Sequence, residues 1–258
     1  MEKVSCSHPR LVKGSVTQLS ARAGAGGRPY LSESAAVAKA GSHIEVVVEV
    51  APKRSFASAV DWPGWCRSGR TPDSAVETLA AYAARYKAVA ATAGLRLPTV
   101  TGVESLVVVE EIEGNATTVF GAPRKAATVE VRPVVAREAN RVASLLEAAW
   151  TVLDDVVASA PADLRKGPRG GGRDRDAMYE HVLSAEQAYA GKVGVRVRPP
   201  SRDDTAAIAA MREALLAVIR ADRTGKPARE GGWAPRYCAR RVAWHALDHA
   251  WEIQDRSS

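Results

Sequence analysis

Cysteine is scarce in this chain of 258 residues, with Cys6, Cys66 and Cys238 as its only thiols. Three thiols this far apart exclude a disulfide framework and the paired Cys motifs of structural zinc sites. No apolar run approaches the roughly 20 residues that a membrane helix needs. The first 20 residues, "MEKVSCSHPRLVKGSVTQLS", hold no uninterrupted apolar core of the kind an exported signal carries. Reduced thiols, no membrane partner and a cytoplasmic location are the resulting expectations. Also missing is any basic block interleaved with aromatic residues, which a groove for single-stranded nucleic acid requires.

The formal net charge of +7 does not replace that missing block. It divides into +4 over residues 1–43, 0 over 44–132 and +3 over 133–258, so it is densest where folding is least expected. Nucleic acid is therefore not an expected partner of the folded surface. What the chain has is ordinary globular material, 46% hydrophobic and 25% charged residues, enough for one large domain or two smaller ones. Abundant Arg over Lys, with much Ala, fits a GC-rich bacterial genome.

Residues 1–43 are rich in Gly, Ala and Ser without sustained periodicity. They offer too little apolar surface to offset their ordering entropy and are expected to form a disordered basic tail. His8 and His43 lie there without ligand partners at chelating spacing.

From residue 44 the pattern predicts α+β structure. "IEVVVEV" and "SFASAVDW" read as strands and "PGWCRSGR" as a turn. "TPDSAVETLAAYAARYKAVAATAG" reads as a helix of about six turns, with Thr71 as N-cap, Pro72 in the first turn and Gly94 at the stop. "ESLVVVEEIEG" and "ATVEVRP" read as two more strands. The expected order over 44–132 is thus β-β-α-β-β. Beyond Pro133 four amphipathic helices are predicted over 134–160, 175–193, 203–223 and 235–256, an all-α four-helix bundle. The junction at Pro133 makes 133–258 a candidate separate domain.

The chain owns five histidines, and "WHALDH" in the last helix puts two of them, His245 and His249, four residues apart. Positions i and i+4 share one side of a helix, so the pair can chelate an ion. Two imidazoles rarely suffice, and a third must come from elsewhere. His181, in the second long helix, sits at the edge of the apolar stripe formed by Met178, Val182, Ala185 and Tyr189, and so points inward. Cys238 lies about 10 Å along the axis from His245 and cannot share its ion; it reads as a small core residue. The alternative for the three histidines is ordinary buried imidazoles, each hydrogen-bonded within a core.

Near them, Glu252, Asp248 and Arg241 lie within one turn of His245 or His249. They read either as groups that orient imidazole N–H atoms or as exposed helix charges. Trp244 and Trp251 read as packing residues, and Tyr189 as core with a hydroxyl that can reach the cavity.

"YEHVLSAEQAYAGKVG" and "WHALDHAWEIQDR" together resemble the second and fourth helices of DinB-like (YfiT-like) metal-binding bundles, over roughly residues 134–256. The resemblance implies His181, His245 and His249 as ligands of a divalent metal, zinc or nickel. It further implies a metal-dependent thiol S-transferase that joins a low-molecular-weight thiol, mycothiol for example, to a small-molecule substrate; a homo-oligomer is compatible with it. The Gly/Arg-rich loop at 165–175 has no counterpart in that pattern. Upstream, Asp61, Pro63, Gly64, Gly69 and Thr71 match the D-x-P-G-x-x-x-x-G-x-T segment that HicB-like modules resemble one another in. That likeness implies a strand, a Pro-Gly turn and a capped helix. No DNA-binding helix-turn-helix or ribbon-helix-helix follows it. The alternative function is a non-catalytic binding or regulatory protein whose HicB-like module engages a partner.

Overall fold

A computed structural model describes residues 43–167 and 171–257. The expectations for the tail and for His8 lie outside those residues, while His43 is described and exposed.

The architecture is mixed α and β, a four-stranded sheet followed by long helices. Strand β1 (Ile44–Ala51) pairs antiparallel with β2 (Arg54–Ala59), and β2 pairs antiparallel with β3 (Cys66–Gly69). Strand β4 (Leu106–Glu113) returns parallel to β1, giving the order β3-β2-β1-β4. Val46 and Val48 stand opposite Ala59 and Ala57, and all four enter the main core. On the other face Phe56 and Cys66 meet Trp244. β3 falls in the segment expected to be a turn. Its Cys-Arg-Ser-Gly sequence has weak strand propensity, and pairing with β2 supplies what the residues lack.

The expected six-turn helix is two helices, α1 (Pro72–Ala81) and α2 (Ala83–Thr92), meeting at Tyr82. α1 lies on the sheet through Ala75 and Leu79, whereas α2 turns to pack on the first long helix, so the change of partner falls at the break. Thr71 caps α1 as expected: its hydroxyl accepts from the Ser74 amide at 3.2 Å, and the Ser74 hydroxyl accepts from the Thr71 amide at 2.9 Å. Gly64 is required twice over. Its φ of +92° is in the left-handed region, and a Cβ there would come within 2.6 Å of Leu247.

The segment expected as a last strand, residues 127–133, is instead a 3-10 turn over Thr128–Val131, preceded by a short helix α3 (Ala116–Phe120). The reason is Glu130. Its carboxylate turns inward, accepting from the Ala127 amide at 2.7 Å and from Arg240 Nε at 2.5 Å, a geometry that an extended strand on the sheet edge would not allow.

The four long helices form as expected: α4 (Ala136–Ser159), α5 (Arg175–Lys192), α6 (Thr205–Ala221) and α7 (Pro235–Ser257). α7 packs on α4 and α5, and α6 on α4. α7 is the centre of the molecule: every residue from Pro235 to Leu247 is buried. A helix apolar on one stripe is buried on one side only. This one is covered on all sides because the sheet, the turn at 128–131 and the other helices close around it.

The described residues accordingly form one compact unit, and one continuous core runs from Val46 and Leu79 through Leu146 and Leu153 to Val242 and Ile253. The boundary expected at Pro133 is a change of secondary structure without a break in packing. We therefore expect residues 130–258 expressed alone to be insoluble or to lack a cooperative unfolding transition, and co-expression with residues 43–129 to restore one. A soluble fragment with a sharp thermal transition would show that the helices close their own core.

The pair Arg240–Glu130 gives a second expectation. Both side chains are buried, and Arg240 also donates to Ser58 Oγ at 3.2 Å and to the Lys125 carbonyl at 2.8 Å. Removing one partner leaves the other charge buried, so Glu130→Ala should cost about 3–5 kcal/mol in urea denaturation. A cost below about 1 kcal/mol would show that water replaces the carboxylate.

Candidate metal centre

His181 is on α5, and His245 and His249 are on α7. One ring nitrogen from each lies within 4.8 Å of the other two. The ring centroids are 4.9, 5.1 and 4.6 Å apart for the pairs 181–245, 181–249 and 245–249. The two α7 histidines face each other through their Nε2 atoms at 3.2 Å. Zinc–nitrogen bonds of about 2.0–2.1 Å at tetrahedral angles put ligand nitrogens about 3.3 Å apart. The α7 pair already meets that spacing. The His181 nitrogen lies within 4.8 Å of both, and side-chain rotation is the motion that would bring it closer.

Glu252 fixes the chemistry of one ligand. Its Oε2 accepts from His249 Nδ1 at 3.1 Å, and its Oε1 accepts from Arg256 Nη1 at 2.9 Å. A neutral His249 that donates from Nδ1 has a bare lone pair at Nε2, the atom aimed at His245 and the one a cation would take. The hydrogen bond to His249 in turn holds the Glu252 carboxyl below its ordinary range. His245 is nearly enclosed, and its Nδ1 finds no partner. Burial, followed by the neighbouring His249 and His181, drives its pKa well below the ordinary value. His181 is half-buried and shifted the same way, again first by burial and then by Arg173. These two rings stay neutral, the form that binds metal, at pH values where a free imidazole begins to charge.

The other flanking residues divide. Asp248 turns away from the histidines and pairs with Arg67 of β3. Arg241 is fully buried; it donates to the Pro123 carbonyl and, at 3.0 Å, to the Tyr189 hydroxyl, while the Tyr189 ring lies 6.0 Å from His245. Arg241 thus reaches the histidines through Tyr189 and Trp244, and its charge acts on His245 directly. Trp244 packs edge-on against Phe56 at 6.0 Å, and Trp251 tilts against Tyr82 at 5.2 Å. Cys238 is a buried core thiol, pushed up to about 12 by its burial. Arg173 escaped the sequence reading. It stands in the Gly/Arg-rich loop before α5, where no periodicity marks a residue as facing a site.

The partly exposed rings of His181 and His249 leave one side of the cluster reachable from solvent. Three imidazoles with an open side can hold a divalent ion and keep coordination positions for a substrate, whereas a closed structural site would spend all four on the protein. No family model matches the chain, and no curated protein or solved structure is similar to it.

The buried imidazoles also set a pH dependence. A histidine whose folded pKa lies below the ordinary 6.5 is protonated first in the unfolded chain, so stability is complete above that value and declines as pH falls through the folded pKa. Metal-free protein should lose stability between pH 7 and pH 5 in urea denaturation, and His245→Asn should flatten that slope. An unchanged slope in the variant would assign the acid sensitivity to other groups.

Proposed function

We propose that the chain is a divalent-metal-binding protein of the DinB-like kind. In this reading α4–α7 act as a four-helix bundle, and His181, His245 and His249 hold zinc or nickel. The observation that carries the proposal is the convergence of three ring nitrogens within 4.8 Å from two different helices. Ordinary core histidines have no reason to point at one another, because two neutral rings satisfy at most one hydrogen bond between them. A shared cation satisfies all three at once.

The activity proposed with it is a metal-dependent thiol S-transferase. A bound divalent ion lowers the pKa of a coordinated thiol or water, so that a nucleophile forms at neutral pH. The chain's own residues serve that chemistry in separate ways. Glu252 keeps His249 in the tautomer with a bare Nε2. The burial of His245 keeps its ring uncharged. Arg173 and Arg241 add positive potential beside His245, which favours an anionic sulfur over a neutral one. The partly exposed rings of His181 and His249 give a low-molecular-weight thiol a side from which to approach the metal. No side chain is assigned as a catalytic acid or base.

Protein purified without an affinity tag should carry about one equivalent of zinc or nickel by elemental analysis, and His181→Ala should lose it although the 245/249 pair remains. Metal-free parent protein that takes up neither ion at micromolar concentration would end this reading. A screen of metal-loaded protein with low-molecular-weight thiols and alkylating electrophiles then tests the transferase.

A second reading has its own observation. β4 is an edge strand; among the described residues its outer side pairs with no strand, and Val107, Val108 and Val109 are 41–45% exposed. Such an edge is a template for strand addition. A protein that binds metal but transfers no thiol in that screen would favour a binding or regulatory role exercised there.

A further inference from the structure

A cavity of about 640 Å³ opens where the start of β1, the first turns of α4, the end of α6 and the start of α7 meet. Arg236 in its wall precedes His245 by nine residues, about 13 Å along the helix axis. The cavity is therefore separate from the histidines. Its volume is that of a small-molecule site.

The walls are of two kinds. Ile44, Trp62, Val142 and Ile219 make an apolar side. Arg137, Arg141 and Arg236 make a cationic one. Four carboxylates also line the space, but three are already engaged. Asp61 pairs with Arg236 at 2.6 Å, Glu138 accepts from Arg132 at 3.4 Å, and Asp222 accepts from the Thr224 and Gly225 amides at 3.0 Å each. Glu45 remains. Against it stand Arg137, which has no ion-pair partner among the described residues, and the unspent donors of Arg141 and Arg236. Arg141 donates one nitrogen to the Asp61 carbonyl and lies over the Trp62 ring at 4.3 Å, held flat for stacking.

Arg236 is the decisive residue. Only 5% exposed, it spends Nη2 on Asp61 and on the Val60 carbonyl. Its Nε is enclosed by protein, whereas Nη1 makes no hydrogen bond among the described residues and is not enclosed, so Nη1 is the edge that this nearly buried guanidinium can turn to the cavity it lines.

We infer that this cavity binds a small organic acid, its carboxylate received by Arg236, Arg137 and Arg141 and its apolar body laid against Trp62, Val142 and Ile219. A singly charged carboxylate fits better than a phosphate. The fork geometry of the guanidiniums suits either, but the acidic residues around the rim disfavour a second negative charge.

The test is calorimetric titration of the full chain at pH 7 with benzoate, indole-3-acetate and octanoate, each beside its neutral amide and beside inorganic phosphate. At least one acid should bind at one site per chain, with its amide about tenfold weaker or worse. Arg236→Gln should weaken that acid about tenfold or more, and the surface variant Arg137→Gln, which carries no risk to the core, by a smaller measurable factor. His181→Ala should leave the affinity unchanged, which separates this cavity from the metal centre. Absence of saturable binding by all three acids would overturn the inference, with water alone completing Arg236. So would amides as tight as the acids, phosphate tighter than any of them, or affinities untouched by both arginine variants.

Discussion

The structure depends on burying three guanidinium groups in one helix. Arg236, Arg240 and Arg241 sit within the stretch of α7 that has no exposed residue. An unpaired buried charge costs several kcal/mol, more than most single contacts return. The surrounding chain must therefore deliver acceptors to fixed points. Asp61 comes from the loop after β2, Glu130 and the Lys125 and Pro123 carbonyls from the segment after α3, and the Tyr189 hydroxyl from α5. Each acceptor ties a different part of the α/β segment or of α5 to α7. That explains why the sheet and the helices share a core, where the sequence suggests a seam.

The same constraint positions the histidines. With α7 immobilised along its first three turns, His245 is carried into the interior and His249 to its margin, one turn apart on the same side. α5 brings His181 to them and, two turns later, Tyr189 to Arg241. The guanidinium network and the imidazole cluster are thus joined through Tyr189 and Trp244. The partner of His249 is equally local: Glu252 and Arg256 follow at i+3 and i+7 on the same helix, so this arm of the site needs no tertiary contact to form.

The parts that were legible in the sequence are those with a local cause. The four long helices follow from 3.6-residue periodicity, the cap of α1 from Thr71-Pro72, and the convergence of His181 with His245 and His249 from their inward positions on two such helices. Illegible were elements whose conformation is dictated from a distance. β3 exists because β2 pairs with it. The 128–131 turn exists because Arg240, more than a hundred residues away, requires the Glu130 carboxylate. Its Thr-Val-Glu-Val alternation is a fair strand pattern, and the buried charge overrides it. The break at Tyr82 is of the same type, since α1 and α2 each follow a different partner. Arg236 drew no notice in the sequence for the same reason: only the packed structure shows that it is enclosed.

These observations bear on how far α7 alone can carry a function. Its first turns present cations to a cavity and its later turns present neutral imidazoles to a partly open cluster, and the two environments differ in what they demand of a ligand. The arginine end suits an anion because guanidinium donors remain there that its carboxylates do not take up, although four arginines and four carboxylates line the cavity in balance. The histidine end suits a cation because burial disfavours the charged form of His245 and His181, and a neutral ring keeps one nitrogen lone pair for a metal. A buried helix that only filled a core would need neither arrangement, and apolar residues of similar volume would serve at lower desolvation cost. Arg240 and Arg241 find acceptors within the chain, whereas the placing of Arg236 in a cavity wall and the convergence of three imidazoles are arrangements that packing alone does not require.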